Sequence, residues 1–128
     1  MKKMVLATVL ASLFFSSVAM SEDKTAFSLP AIEKSAEEGN AASQYQLGVK
    51  YEGGEGVEQN TQKALEWYTK AAEQGHAEAQ LNLALMYDMN DDIERDAEKA
   101  VYWYNKAAVQ GLSLAQYNLA VSFDEGDG

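Results

Sequence analysis

The chain has 128 residues, 47% apolar and 23% charged, a balance that suits one ordered domain and not a solvated tail. It contains no cysteine, which removes disulfides, thiolate zinc sites, cysteine nucleophiles and a lipid-modified cysteine together. Its formal net charge of −10 has the wrong sign for a phosphate backbone, whose binding proteins cluster Lys and Arg, so nucleic acid is not an expected partner.

The first residues read as a targeting segment. Lys2 and Lys3 precede an apolar run from Met4 to Phe15, and the small residues Ser16, Ser17 and Ala19 follow, the order of a secretory signal. A cut after Ala19 fits best, one after Ser21 is also allowed, and an uncleaved anchor is the alternative. The run falls short of the about 20 apolar residues that span a bilayer. The expectation is therefore a signal at 1–19, a linker at 20–29 and a folded body at 30–128. It places the mature protein in the periplasm or outside the cell, with no membrane contact after cleavage. Loss of Lys2 and Lys3 leaves 8 basic residues against 20 acidic ones, a formal charge near −12.

Pro30 suits the first turn of a helix, where its missing N–H costs nothing. The stretch Ala31 to Gly39 is a faint copy of a unit that returns as Trp67-Tyr68-Thr69-Lys70-Ala71-Ala72-Glu73-Gln74-Gly75 and again as Trp103-Tyr104-Asn105-Lys106-Ala107-Ala108-Val109-Gln110-Gly111. The three closing glycines are 36 residues apart, and a fixed period of roughly 20 to 50 residues marks a stacked-repeat architecture.

Gly39 and Asn40 are expected to stop the preceding helix. In the next helix Ser43, Leu47, Gly48 and Tyr51 recur at three- and four-residue steps and predict one buried face. Gly48 corresponds to Ala84 and Ala120, and Tyr51 to Tyr87 and Phe123. The turn Glu52 to Gln59 is rich in glycine, but Val57 and Glu58 stand where a phosphate cradle needs lysine and a hydroxyl. Its glycines read as positive-φ positions, with Val57 turned back into the core. Asn60 is placed to cap the second helix and Asp96 does the same one unit later. That second helix, Thr61 to Gln74, presents Ala64, Trp67, Tyr68 and Ala71 in register, and Trp67 and Trp103 are expected in the core.

The pattern Gly39-x-Ala41-x-Ser43-Gln44-Tyr45-Gln46-Leu47-Gly48-x-x-Tyr51-x-x-Gly54-x-Gly56-Val57, then Ala64, Trp67-Tyr68, Lys70-Ala71-Ala72 and Gln74-Gly75, resembles the Sel1-like repeat, a tetratricopeptide-related helical hairpin. The second unit repeats it from Gly75-His76-Ala77 to Tyr87 and at Ala100, Trp103-Tyr104 and Lys106-Ala107-Ala108, and the likeness runs from about Ala31 to Gly128. It implies an all-α fold, a right-handed α-solenoid of antiparallel helix pairs with about two full repeats plus flanking half-repeats. The usual work of such a solenoid is holding other proteins, without catalysis.

The second turn, Asp88-Met89-Asn90-Asp91-Asp92-Ile93-Glu94, departs from the pattern. Asn90 and Asp92 replace glycines and are expected to adopt left-handed geometry in their place. Acids at alternate positions have the look of a calcium loop, yet Ile93 stands where the EF-hand turn needs glycine and Lys99 where it needs a bidentate glutamate, so a solvated acidic turn is favoured. His76 is the only histidine; without a second one, or a cysteine, it forms no conventional zinc site, and it reads as structural or solvent-exposed. No catalytic, cofactor or metal site is expected.

The third unit runs from Gly111 through Phe123 to Gly128, the counterpart of Gly56, and its helix has no partner for the face carrying Leu119, Ala120 and Phe123. A frayed end, a truncated chain and a docking surface are the competing readings, and the expectation is a face covered by self-association or by a partner. Candidate partner-binding residues lie off the core stripe of the first helices: Tyr45, Val49, Leu81, Leu85, Tyr117 and Val121, with Glu78, Glu52 and Asp88 at the rim. If first helices line the concave surface as in tetratricopeptide relatives, these form an apolar strip for a peptide; the alternative is that they seal one first helix against the next. The function expected is a periplasmic or secreted protein-binding module for an envelope or secreted partner. An inhibitor or immunity protein for a toxin or cell-wall enzyme is the alternative, and a hydrolase the remoter one.

Overall fold

The computed structural model describes residues 28–126; the expected signal at 1–19 and the expected linker as far as residue 27 lie outside the described residues. Six helices fill this span: α1 (Leu29–Glu37), α2 (Ala41–Gly53), α3 (Thr61–Glu73), α4 (Ala77–Met89), α5 (Ala97–Val109) and α6 (Ser113–Asp124). Among the described residues there is no strand. Each helix packs mainly on the next in sequence, from α1 on α2 to α5 on α6, which is how a solenoid is built. The all-α solenoid expected from the period is the observed fold.

The helix ends follow from their caps. Ser28 Oγ accepts from the Ala31 N–H at 3.4 Å and Pro30 lies in the first turn, so α1 starts at Leu29, inside the expected linker. Asn40 ends one helix as expected, its N–H donating to Ser35 O at 3.1 Å, and also starts the next: its Oδ1 accepts from the Ser43 N–H at 2.9 Å. Asn60 and Asp96 cap α3 and α5 as expected, each accepting a backbone N–H at 3.0 Å. Gly39, Gly75 and Gly111 turn the chain from one unit to the next at φ of 98°, 92° and 99°, a conformation in which a side chain would be strained.

The two long turns reach one result by different routes. Gly54 and Gly56 take positive φ as expected, while Gly53 is the last residue of α2. In the second turn the expected left-handed Asn and Asp are absent, since no non-glycine described residue has positive φ. Asn90 is extended (φ −81°, ψ 124°), and its Oδ1 accepts from the Asp92 N–H at 2.9 Å. This Asx turn supplies locally the reversal that glycine gives by φ alone. Both turns close on the same bond, Asn60 N–H to Tyr51 O and Asp96 N–H to Tyr87 O, each 2.8 Å.

The core corrects the expectation for the tryptophans. Tyr68 and Tyr104 are 0% exposed, whereas Trp67 and Trp103 are only half-buried. Adjacent helical residues point about 100° apart, so only one of each Trp-Tyr pair can enter the hairpin. Trp67 lies on the flank beside Ile32, Ala36 and Leu47, with Lys70 Nζ 4.4 Å from its ring centroid. The predicted face of α2 splits in the same way: Leu47 and Gly48 are buried, while Ser43 and Tyr51 are half-buried. Val57 is half-buried, and its counterpart Ile93 is buried in the central cluster. A Cβ at Gly48 would stand 2.6 Å from two carbons of the Tyr68 ring, so the glycine is what admits the tyrosine.

Candidate functional site

Two polar devices recur at the 36-residue period and decide which side chains remain available. In the first, a buried tyrosine of a second helix donates to a carboxylate at the end of the first: Tyr68 Oη to Glu52 at 2.6 Å and Tyr104 Oη to Asp88 at 3.0 Å. Burial, reinforced by the carboxylate, pushes both phenols well above their usual range. Glu52 and Asp88 are therefore not simply rim charges of a binding surface; Asp88 also takes Arg95 at 3.3 Å.

The second device is a glutamine relay that the sequence reading passed over. Gln44, 5% exposed, donates to Ala36 O at 3.1 Å and accepts from Gln74 Nε2 at 2.7 Å, while Gln74 also donates to Gly39 O at 3.0 Å. Gln80 and Gln110 repeat it, with Gln80 donating to Ala72 O at 3.1 Å and Gln110 donating to Gln80 Oε1 at 2.8 Å and to Gly75 O at 2.9 Å. The signal was present, since these glutamines are 36 residues apart. The spacing alone does not name a partner, and only the packed helices show the carbonyls they satisfy.

The candidate strip is distributed along α2, α4 and α6. Tyr45 and Val49 are half-buried against the central cluster, and Leu81 and Leu85 against Ala84, Ala100 and Tyr104. Tyr45 stacks on the His76 ring at 4.8 Å and lies 5.9 Å from the Tyr68 ring. His76 Nδ1 in turn accepts from the Ala79 N–H at 3.2 Å and caps α4. Tyr45 thus helps seal one unit to the next, and part of its ring stays open. Val121 is half-buried, and Tyr117, the counterpart of Tyr45, is 67% exposed.

Glu78, also in the candidate set, lies 3.7 Å from His76 Nδ1 with its side chain 58% exposed. That nitrogen already accepts a backbone N–H, so Glu78 is a neighbour of the ring and remains directed to solvent. A groove of about 330 Å³ is lined by Ile32, Tyr45, Gln46, Val49, Lys50 and Glu55. Among the described residues no group of three or more His, Cys, Asp or Glu side chains is placed to hold a metal ion.

The repeating unit has a family counterpart: the Sel1 repeat profile matches residues 41–76, 77–112 and 113–128. This chain belongs to the Sel1 repeat family. Each matched unit opens one residue after its cap, at Ala41 after Asn40 and at Ala77 after His76. Among solved structures the chain is similar to a Sel1 repeat protein from Oxalobacter formigenes, with a TM-score of 0.71 and 35% identity over 78% of this chain and 75% of that one. It is also similar to a protective antigen present in uropathogenic Escherichia coli strains that displays an SLR fold, with a TM-score of 0.69 and 42% identity over 73% of this chain. It spans 21% of that longer protein. Among curated proteins none matches. Sel1 repeat proteins are generally protein–protein interaction modules and typically non-catalytic.

Proposed function

We propose that this Sel1 repeat protein is exported to the periplasm or secreted and there holds an envelope or secreted partner protein against its first-helix face. The observation that supports this reading is a contrast within single helices. Leu47 and Leu83 are 2% and 0% exposed, while Tyr45, Val49, Leu81 and Leu85 on the same helices stay partly open and lead to Tyr117 at 67%. A core needs the first set; a row of apolar side chains left open across successive units is the kind of surface that takes up an extended or helical peptide. Glu78 supplies an acidic edge and favours a partner with basic residues there.

The test compares the wild type with Tyr117→Ala and Glu78→Lys, both at exposed positions, in capture from a periplasmic extract. Loss of the same captured protein by both variants is the expected result. Equal recovery by variants with unchanged circular dichroism overturns the strip. Export is tested by itself: fractionation with the mass of the mature N-terminus should find a chain shortened by about the first 19 residues, and a full-length cytoplasmic chain overturns it.

A further inference from the structure

The groove beside Tyr45 marks the place where α1 departs from α3 and α5. Ile32 of α1 stands one period before Tyr68 and two before Tyr104. In the later helices the tyrosine ring is fully buried, and its hydroxyl is held from two sides. It donates to a carboxylate, Glu52 or Asp88, and accepts from the amide of Asn82 or Asn118 on the following first helix. Ile32 is buried with Ala36 and Leu47, but an isoleucine side chain stops short of the outer half of a phenol. Beyond it lies the groove of about 330 Å³, with Tyr45 and Val49 in its lining. Gln46 occupies the position of Asn82 and Asn118 and lines the same groove, as does Glu55. Among the described residues neither the Gln46 nor the Glu55 side chain has a hydrogen-bond partner.

We propose that this groove is the anchor pocket for a tyrosine side chain of the partner protein, its ring lying on Ile32 beside Tyr45 and Val49 and its hydroxyl accepting from Gln46 Nε2 and donating to the Glu55 carboxylate. The proposal deepens the first-helix reading and rests on it, because Tyr45 and Val49 belong to both. A phenol matches this lining as no other side chain does. The walls are apolar, and the two polar groups offer one donor and one acceptor, which a single hydroxyl satisfies together. Lys50 and Glu55, opposite in sign, leave the lining without net charge, so neither a carboxylate nor an ammonium is drawn in. A ring with a polar tip, seated in a recess, is also the usual form of an interface anchor. A second copy of the chain is a poor source of that ring, because two chains of net charge −10 repel.

The test titrates the whole chain with N-acetyl-tyrosinamide, N-acetyl-phenylalaninamide and N-acetyl-leucinamide and follows the backbone amide shifts. The tyrosine probe should shift Ile32, Gln46 and Val49 saturably, at about millimolar concentration for a ligand of its size. The phenylalanine probe should bind about fivefold more weakly for want of the hydroxyl, and the leucine probe more weakly again. Gln46→Ala/Glu55→Ala, at two exposed positions, should erase the difference between the tyrosine and phenylalanine probes. Ile32→Tyr installs the residue of the other units and should abolish binding with circular dichroism unchanged; if that variant unfolds, the double variant decides. Absence of saturable binding overturns the proposal, as does a phenylalanine probe bound as tightly as the tyrosine one. A concentration-dependent dimer that Ile32→Tyr abolishes assigns the groove to a second copy and overturns it too. The strip is judged apart from the pocket. Capture lost by Tyr117→Ala and Glu78→Lys, with no tyrosine probe bound, keeps the strip and overturns the anchor. A tyrosine probe seated in the groove, with capture indifferent to both variants, supports the pocket and overturns the strip alone.

Discussion

The hydroxyl of Tyr68 donates to the carboxylate of Glu52 at 2.6 Å across α2 and α3, and Tyr104 repeats the bond to Asp88. Both rings are 0% exposed, so the pair joins the centre of each hairpin to its open edge. Because burial first and the carboxylate second raise both phenols, the folded state holds these protons beyond the pH at which the unfolded chain releases them. The contribution is whole below the unfolded value of about 10 and falls as pH rises through and above it, by roughly 1.4 kcal/mol per pH unit for each tyrosine. Thermal melts between pH 8 and 11 should show the midpoint steady at first and dropping past pH 10, and Tyr68→Phe/Tyr104→Phe should flatten the drop.

Removing only the hydroxyl with Tyr68→Phe should cost about 1 kcal/mol, since Glu52 lies at an exposed position and recovers water. Tyr68→Ala opens a cavity at a fully buried site and should cost about 3 to 5 kcal/mol. Trp67→Ala, at a half-buried ring, should cost less than Tyr68→Ala. Urea denaturation of the three variants orders them, and a Trp67→Ala loss above that of Tyr68→Ala would contradict the assignment of the core.

Gly48→Ala should destabilise by about 1 to 3 kcal/mol despite the better helix propensity of alanine, because the new Cβ meets the Tyr68 ring. At Ala84 the methyl is already accommodated, and Ala84→Gly should cost about 1 kcal/mol for the opposite reason, loss of propensity and of a buried methyl. The same urea titrations check both. Stabilisation by Gly48→Ala would mean that the Tyr68 ring is free to move aside.

Gln74→Ala leaves the buried Oε1 of Gln44 without its donor and should cost about 1 to 3 kcal/mol. Gln116→Ala removes only a bond to Ala108 O at an exposed position and should lie within about 0.5 kcal/mol of wild type. Chemical denaturation with Gln110→Ala as a third arm tests whether the relay acts alike in both units.

The fold was legible because its signal is redundant: the glycine period, the caps Asn60 and Asp96 and the small residues at Gly48 and Ala84 all point to the same hairpin. The reading failed where one residue stood against its immediate neighbour. Trp67 outranks Tyr68 in apolar surface, yet the hairpin centre admits the ring whose polar tip can reach Glu52. Asn90 was assigned a backbone geometry on its tolerance for it, while its side chain built the turn in another way. Gln44 and Gln80 were missed because a polar side chain in a sequence does not announce the carbonyl it will meet. The candidate strip was half legible: helical spacing set Tyr45 and Leu81 off the core stripe, but the contact of Tyr45 with His76 crosses a unit boundary that spacing within one helix cannot register.

The positive-φ glycine at each unit boundary carries a practical consequence. Gly39 and Gly75 hand the chain over with φ of 98° and 92°, and each is followed by a capping residue that starts the next helix. A cassette of 36 residues spliced between Gly75 and His76 would bring matching joints at both of its ends. The rod should therefore lengthen by one module without any compensating change elsewhere.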